Sequence, residues 1–112
     1  MFLLNEVSGN TPDENGMTPL HLACEWGNLK VVKFLINDMK ANLHSVDKEG
    51  RTPLHVYCET CEPELLIPKL LIREGANVLA KDKSGKNTLQ VAKSLWRPDY
   101  YLIQFLKVAV KR

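Results

Sequence analysis

The 112-residue sequence has little net charge, few cysteines and no long apolar run. A formal charge of +2 is too small to predict that the whole domain binds nucleic acid or an anionic membrane. Three cysteines are an odd number and too few for a secreted disulfide framework. No segment approaches the roughly 20 apolar residues of a membrane span, and the start lacks the basic flank of a signal peptide. We therefore expect an intracellular protein, cytoplasmic or nuclear.

The sequence also lacks the short motifs that accompany catalysis. It contains no glycine-rich phosphate loop, nucleophile elbow, carboxylate dyad or dinucleotide fingerprint. The carboxylates are scattered through predicted turns and solvated faces. The sequence therefore predicts a protein that is not an enzyme and needs no cofactor.

What the sequence does contain is a hexapeptide that recurs. Residues 18–23 read Thr-Pro-Leu-His-Leu-Ala, residues 52–57 read Thr-Pro-Leu-His-Val-Tyr, and residues 87–92 read Asn-Thr-Leu-Gln-Val-Ala. The second copy follows the first by 34 residues and the third follows the second by 35. A period of this length is typical of stacked helical repeats, in which each unit buries its apolar face against its neighbours.

Each repeat opens with a predicted tight turn. An Asp begins the turn and a Gly ends it in residues 13–16, 47–50 and 82–85, because Asp accepts backbone N–H groups and Gly tolerates a positive φ. Thr18 and Thr52 follow as helix N-caps, each with a proline at the next position, where a missing N–H costs nothing. Asn87 is the equivalent cap in the third copy, and Asn28 begins a second helix in the first copy.

These patterns resemble the ankyrin repeat. The residues that support the resemblance are Asp-x-x-Gly-x-Thr-Pro-Leu-His-Leu-Ala, the stretch from Gly27 to Ile36, and the connection from Gly75 to Asp82. The resemblance covers nearly the whole chain. It implies an all-α solenoid, in which antiparallel helix pairs stack and β-turn loops project from one side. We expect one domain, divided into a partial unit and three further units: 1–12, unit 1 (13–46), unit 2 (47–81) and unit 3 (82–112).

The chain departs from the family pattern at several positions. Unit 1 has an extra residue after its second helix, and Met39 stands where the family has glycine, so we expect a different turn there. Unit 2 has two extra residues within 59–64. Pro68 lies inside its second helix, which predicts that this helix starts late or kinks. Asp99 is the predicted N-cap of the last helix.

Both ends of the chain are apolar. Phe2–Asn5 is interpreted as the last turn of a helix from a mostly absent unit. In the last helix, one face is expected to be buried (Tyr101, Leu102, Phe105, Leu106 and Ala109), and a second strip is left without a neighbour (Tyr100, Ile103 and Val110). Either the tail folds back over the stack, or an end contacts another copy or a partner.

The histidines and cysteines are the candidate metal ligands of the sequence. His21 and His55 hold the same position in successive units, and the resemblance implies that such an imidazole bonds to neighbouring turn groups. Cys58 and Cys61 form a Cys-x-x-Cys that fits half a zinc site or a redox pair, but no second pair exists. Cys24 and Cys58 occupy equivalent positions and are interpreted as core residues. We predict no metal site.

The resemblance implies that partners contact the turn tips and the ends of the first helices. In unit 1 these residues are Glu14, Asn15, Met17, Glu25 and Trp26. In unit 2 they are Lys48, Glu49, Arg51, Glu59 and Thr60, and in unit 3 they are Lys83, Ser84, Lys86, Ser94 and Leu95.

Two features of this set stand out. Tryptophan is enriched among interface hot spots, although Trp26 could instead pack against the neighbouring unit. The tips change from acidic in unit 1 to basic at Lys48, Arg51, Lys83 and Lys86. This charge pattern fits either a solvated edge or a groove for an acidic peptide.

The functional hypothesis is a non-catalytic protein-interaction module, an adaptor or inhibitor that binds a partner through turn tips and the concave helix face. The alternative is a structural module that stacks through its apolar ends, in a homo-oligomer or a larger solenoid. Nucleic-acid binding is disfavoured because the basic tips lack interleaved aromatic residues.

Overall fold

The computed structural model describes residues 10–60, 65–95 and 100–110, with no side chain described for Tyr100. All regular structure in these ranges is helical, which confirms the all-α prediction. Each unit contributes two helices. They are α1 (Pro19–Glu25), α2 (Leu29–Asn37), α3 (Pro53–Cys58), α4 (Leu66–Arg73), α5 (Thr88–Ser94) and α6 (Tyr100–Val110).

The first helix of each unit begins at a capping box. The Thr18 hydroxyl accepts a hydrogen bond from the His21 backbone N–H, and the His21 side chain accepts one from the Thr18 backbone N–H. Thr52 and His55 repeat this exchange in unit 2. In unit 3, Asn87 takes the same role with Gln90. The caps were predicted correctly because they depend on residues only three apart.

The predicted turns also form. Asp13 Oδ1 accepts backbone N–H bonds from Asn15 at 2.8 Å and Met17 at 2.9 Å, and Gly16 closes the turn with φ +78°. Asp47 and Asp82 repeat this arrangement. The turn of each unit is therefore fixed by its own aspartate.

The units stack side by side. Helix α1 packs on α3 and α3 on α5, α2 packs on α4, and α6 covers α5. Large apolar side chains fill the space between the two layers of helices and are almost fully buried, among them Leu20, Leu54, Tyr57, Ile67, Leu71, Leu102 and Leu106. None of the helices in the described ranges combines the length and apolar character that a membrane crossing requires.

The end of α2 differs from the prediction. The left-handed residue is Lys40, with φ +53°, and it occupies the place that Gly75 holds after α4. The prediction of Met39 at the glycine position was therefore wrong by one residue. The turn is nevertheless altered, as expected: Ala41 N–H bonds to Leu35 O six residues back, whereas Ala76 N–H bonds to Leu71 O five residues back. The extra residue is absorbed in this turn.

Helix α4 starts late, as Pro68 predicted. It begins at Leu66 without a side-chain cap, so Pro68 lies in its first turn, where the missing N–H breaks no helical bond. The loop before it includes 61–64, so the position of Cys61 lies outside the described residues. The predicted helical turn at Phe2–Asn5 and the predicted cap at Asp99 also lie outside them.

The last helix is rotated relative to the prediction. Leu102 and Leu106 are buried, and Phe105 and Ala109 pack partly against the core, as expected. Tyr101, however, is 72% exposed. Ile103 and Val110, expected to lack neighbours, pack against the core. Contacts with α5 set this rotation, because a helix that is apolar nearly all round has no single preferred face.

Candidate partner-binding surface

A histidine joins each of the first two units to the next. Thr18 backbone N–H donates to His21 Nδ1 at 3.1 Å, so the imidazole proton is on Nε2. Nε2 then donates to the carbonyl oxygen of Arg51 at 2.7 Å. His55 repeats this bond with the Lys86 carbonyl at 3.0 Å. This geometry confirms the structural interpretation of both histidines. Gln90, the equivalent residue of unit 3, has no such bond among the described residues.

Burial keeps His21 neutral. Its side chain is fully inaccessible to solvent, and desolvation is the main cause that lowers its pKa below the ordinary value of 6.5. The bond to the Arg51 carbonyl opposes this effect. The neutral tautomer is the one that both hydrogen bonds require, because Nδ1 accepts and Nε2 donates.

Backbone bonds hold the turn tips in one row. Lys48 N–H donates to Asn15 O at 3.0 Å, and Lys83 N–H donates to Glu49 O at 2.9 Å. These bonds fix the spacing of three turns, which we call the tip edge (residues 14–15, 48–49 and 83–84). The tip edge is therefore a rigid surface, although it is built from loops.

The sequence suggested that Arg51 is a free cation of the basic tips. In the structure it is instead paired within its own unit. Its Nε lies 2.8 Å from Asp47 Oδ2, and its Nη1 lies 2.7 Å from Glu59 Oε2. The Asp47 side chain is only 2% exposed, so this carboxylate depends on Arg51 for its counter-charge. Arg51 thus joins the turn of unit 2 to the end of α3 and adds no net positive charge to the surface.

Met17 was expected to point outward, but it is only 7% exposed. It contacts the next unit, where Arg51 Nη2 lies 4.0 Å from the Met17 sulfur. Met17 therefore supplies the floor of a groove. The walls of this inner groove come from units 1 and 2, and include Asn15, Leu22, Glu25, Lys48, Glu49 and Arg51.

The remaining predicted residues divide between two regions. Glu14, Glu59, Lys83 and Lys86 are exposed, with both lysines in the unit 3 turn, beyond the inner groove. Trp26 is 75% exposed, so it does not pack against the neighbouring unit. It borders a separate apolar depression with Pro19, Leu22, Ala23 and Val31.

Leu22 is a surface residue that the sequence did not single out. It is half-buried, whereas its equivalent in unit 2, Val56, is 3% exposed beneath α1. Both belong to the repeated hexapeptide and look like core residues. The difference in exposure between Leu22 and Val56 comes from the positions of their units in the stack, which the hexapeptide sequence does not indicate.

The described cysteines are core residues. Cys24 and Cys58 are fully buried, and burial raises the pKa of each thiol to about 12. A thiol with so high a pKa is a poor nucleophile and a poor metal ligand. Across the part of the chain that the structure describes, no group of three or more His, Cys, Asp and Glu side chains could hold a metal ion.

Comparison with known proteins agrees with this architecture. The model of the ankyrin repeat family matches residues 15–48 and 49–83. The "Probable 26S proteasome regulatory subunit p28" of Saccharomyces cerevisiae is 35% identical over 99 residues, which cover 84% of this chain and 42% of the yeast protein. The chain thus spans less than half the length of that relative. The repeats, their geometry and these matches support a protein-interaction module, and the chain belongs to the ankyrin-repeat family.

Proposed function

We propose that the chain is a non-catalytic adaptor or inhibitor that holds or masks another protein through its tip edge and inner groove. The observation that supports this is the rigid row of turn tips, tied together by backbone and histidine bonds. Such a surface is already ordered before a partner arrives, so little conformational entropy is lost on binding.

The charges along this surface indicate the chemistry of the partner. Residues 13–25 contain three carboxylates and no Lys or Arg. In unit 3, Lys83 and Lys86 are exposed, and neither has a carboxylate within 4.0 Å in the described ranges. The carboxylate of Asp82, which precedes both lysines, is engaged in its own turn. We therefore assign binding of an acidic segment to the unit 3 end, where it would be steered by charge.

The yeast relative suggests where to look for this partner. Its printed name makes it a regulatory subunit of the 26S proteasome. We propose a component of a comparable regulatory assembly as the first partner to test, and an intracellular location for the complex.

The test is affinity capture from a lysate of the source cell, with the captured proteins probed for proteasome regulatory subunits. We expect wild type to enrich such a subunit and Lys83→Glu/Lys86→Glu to lose most of it. The matched control is Lys30→Glu/Lys40→Glu, which reverses two exposed charges on α2 and the loop after it. Equal capture by all three proteins would contradict the role of the unit 3 lysines, and capture of no such subunit would contradict the assigned partner.

A second candidate function is assembly with a further ankyrin unit. Pro19 and Leu22 of unit 1 occupy the positions of Pro53 and Val56, which are buried in unit 2, where α1 packs on α3. Trp26 lies beside Pro19 and Leu22. The Met17 carbonyl likewise corresponds to the Arg51 and Lys86 carbonyls, each of which accepts a histidine bond. This leading face therefore has the apolar surface and the acceptor that a preceding unit would use.

The opposite end is less suited to stacking. Gln90 replaces the histidine, and the exposed Lys93 stands where Cys24 and Cys58 are buried. Burying that lysine against another copy would be costly, so the surface favours one added unit over an open chain of copies. Light scattering across a concentration series tests self-assembly. A mass that rises with concentration and returns to monomer with Trp26→Ala would show that copies stack despite the cost of burying Lys93, whereas a monomer throughout would exclude a homo-oligomer.

A further inference from the structure

A second groove lies between the second helices of units 1 and 2, away from the tip edge. We call it the outer groove, and its lining residues come from α2 (Leu29, Lys33) and α4 (Leu66, Lys69, Leu70, Arg73). Helices α2 and α4 pack less closely than α1 and α3. Part of the apolar surface between them therefore stays open, and Leu66 is 50% exposed.

The outer groove has an apolar floor and a positive rim. Leu29, Leu66 and Leu70 form the floor, and Lys33, Lys69 and Arg73 surround it. Neither Lys33 nor Lys69 has a carboxylate within 4.0 Å in the described ranges. Arg73 Nε lies 3.7 Å from Glu74 Oε2, but the Arg73 side chain is 75% exposed, so solvent screens this pair. Among the described residues, the rim therefore carries more positive than negative charge.

We propose that the outer groove binds an acidic amphipathic helix of a protein partner. Apolar side chains at i, i+3 and i+4 of that helix would cover Leu29, Leu66 and Leu70, and flanking Asp and Glu residues would face the three cations. Two helical turns, about 11 Å, match the length of α4 that lines the groove. Because this site does not include the tip edge, the chain can hold two partners at once, as an adaptor must.

The test uses the ¹⁵N-labelled 112-residue chain and a synthetic helical peptide in which pairs of Glu alternate with pairs of Leu. We expect amide shifts concentrated in α2 and α4. Lys69→Glu/Arg73→Glu should weaken binding about tenfold or more, since two favourable charge contacts become repulsive. The control Lys30→Glu/Lys40→Glu, which leaves the rim intact, should bind like wild type. Circular dichroism establishes that each variant is folded.

Two further probes separate this site from other surfaces. A matched peptide with Lys in place of Glu should cause no shifts in α2 and α4, and equal shifts from both peptides would overturn the charge argument. Phosphatidylserine-containing vesicles are the membrane probe. Binding of these vesicles without binding of the Glu peptide would overturn the proposal that the partner is a protein. The Lys83→Glu/Lys86→Glu variant should show the same α2 and α4 shifts as wild type. The proposal for the outer groove and the proposal for the tip edge can therefore be contradicted independently.

Discussion

His21 Nε2 donates a 2.7 Å hydrogen bond to the carbonyl oxygen of Arg51, a residue 30 positions further along the chain. The same imidazole caps α1 through Nδ1. One side chain therefore fixes both the start of a helix and the position of the next unit. Arg51 also pairs with Asp47 and Glu59, so the His21 bond ends at a residue that contacts the aspartate of the unit 2 turn.

The contribution of the inter-unit bond can be isolated with His21→Gln. Glutamine preserves the capping exchange, as Gln90 does with Asn87 in unit 3, but does not reproduce the imidazole bond to Arg51. We expect the free energy of unfolding to fall by about 0.5–1.5 kcal/mol, because the Arg51 carbonyl loses one of its two donors and keeps the Asp47 backbone N–H. Urea denaturation measures the change. Gln90→His is the matched control, and it should change stability by less than about 0.5 kcal/mol, since Gln90 makes no bond to another unit among the described residues.

Stability should also depend on pH through His21. Its pKa is lowered by burial from 6.5 in the folded protein, so the unfolded chain binds the proton more readily. The free energy of unfolding should therefore be highest above pH 6.5 and fall as the pH drops through the folded-state pKa. Thermal melts between pH 7.5 and 5 would show this decline. A decline of equal size in His21→Gln would assign it to other groups.

Arg51→Gln should destabilise the fold more than removal of the charge of its exposed partner, Glu59. It leaves the buried Asp47 carboxylate without its cation, for which we expect a loss of about 1–3 kcal/mol. Glu59→Gln breaks the other, more exposed pair and should cost less than about 1 kcal/mol. Chemical denaturation of both variants provides the comparison. Equal effects would mean that burial of Asp47 does not determine the strength of the pair.

Alanine variants of two turn glycines would distinguish the cost of backbone strain from the cost of a steric clash. Gly50 and Gly85 have φ +75° and +86°, a region that costs an L-residue about 1–2 kcal/mol. A Cβ at Gly50 would lie 2.9 Å from Lys83 N, whereas one at Gly85 meets nothing within 4 Å. Gly85→Ala should therefore show the strain alone, and Gly50→Ala should cost more because it displaces the Lys83–Glu49 bond. Identical melting temperatures for the two variants would contradict this account.

Local chemistry made much of the fold predictable from the sequence. The caps at Thr18, Thr52 and Asn87 depend on a residue three positions away, and the turn aspartates bond to amides two and four positions on. Caps and turns of this kind can be recognised from a short stretch of sequence. The late start of α4 also followed from one residue, Pro68.

The surface was less predictable because it depends on contacts between units. Met17 is buried and contacts Arg51, 34 positions away, and Arg51 is neutralised by Asp47 and Glu59. Both residues occupy positions where a repeat pattern implies exposure. The outer groove was missed for the same reason, since it arises from the spacing of two helices and has no motif of its own. The tip edge and its charge gradient remain predictions for binding.

The stacking of α1 on α3, α3 on α5 and α2 on α4 has a consequence for how the protein folds. The principal contacts join a unit only to the next one, so no large loop must close before favourable packing begins. We expect fast folding that starts at any pair of adjacent units and spreads along the chain. A substitution at the interface between units 1 and 2 should then slow folding. The size of the effect should follow the fraction of molecules in which folding starts at these two units.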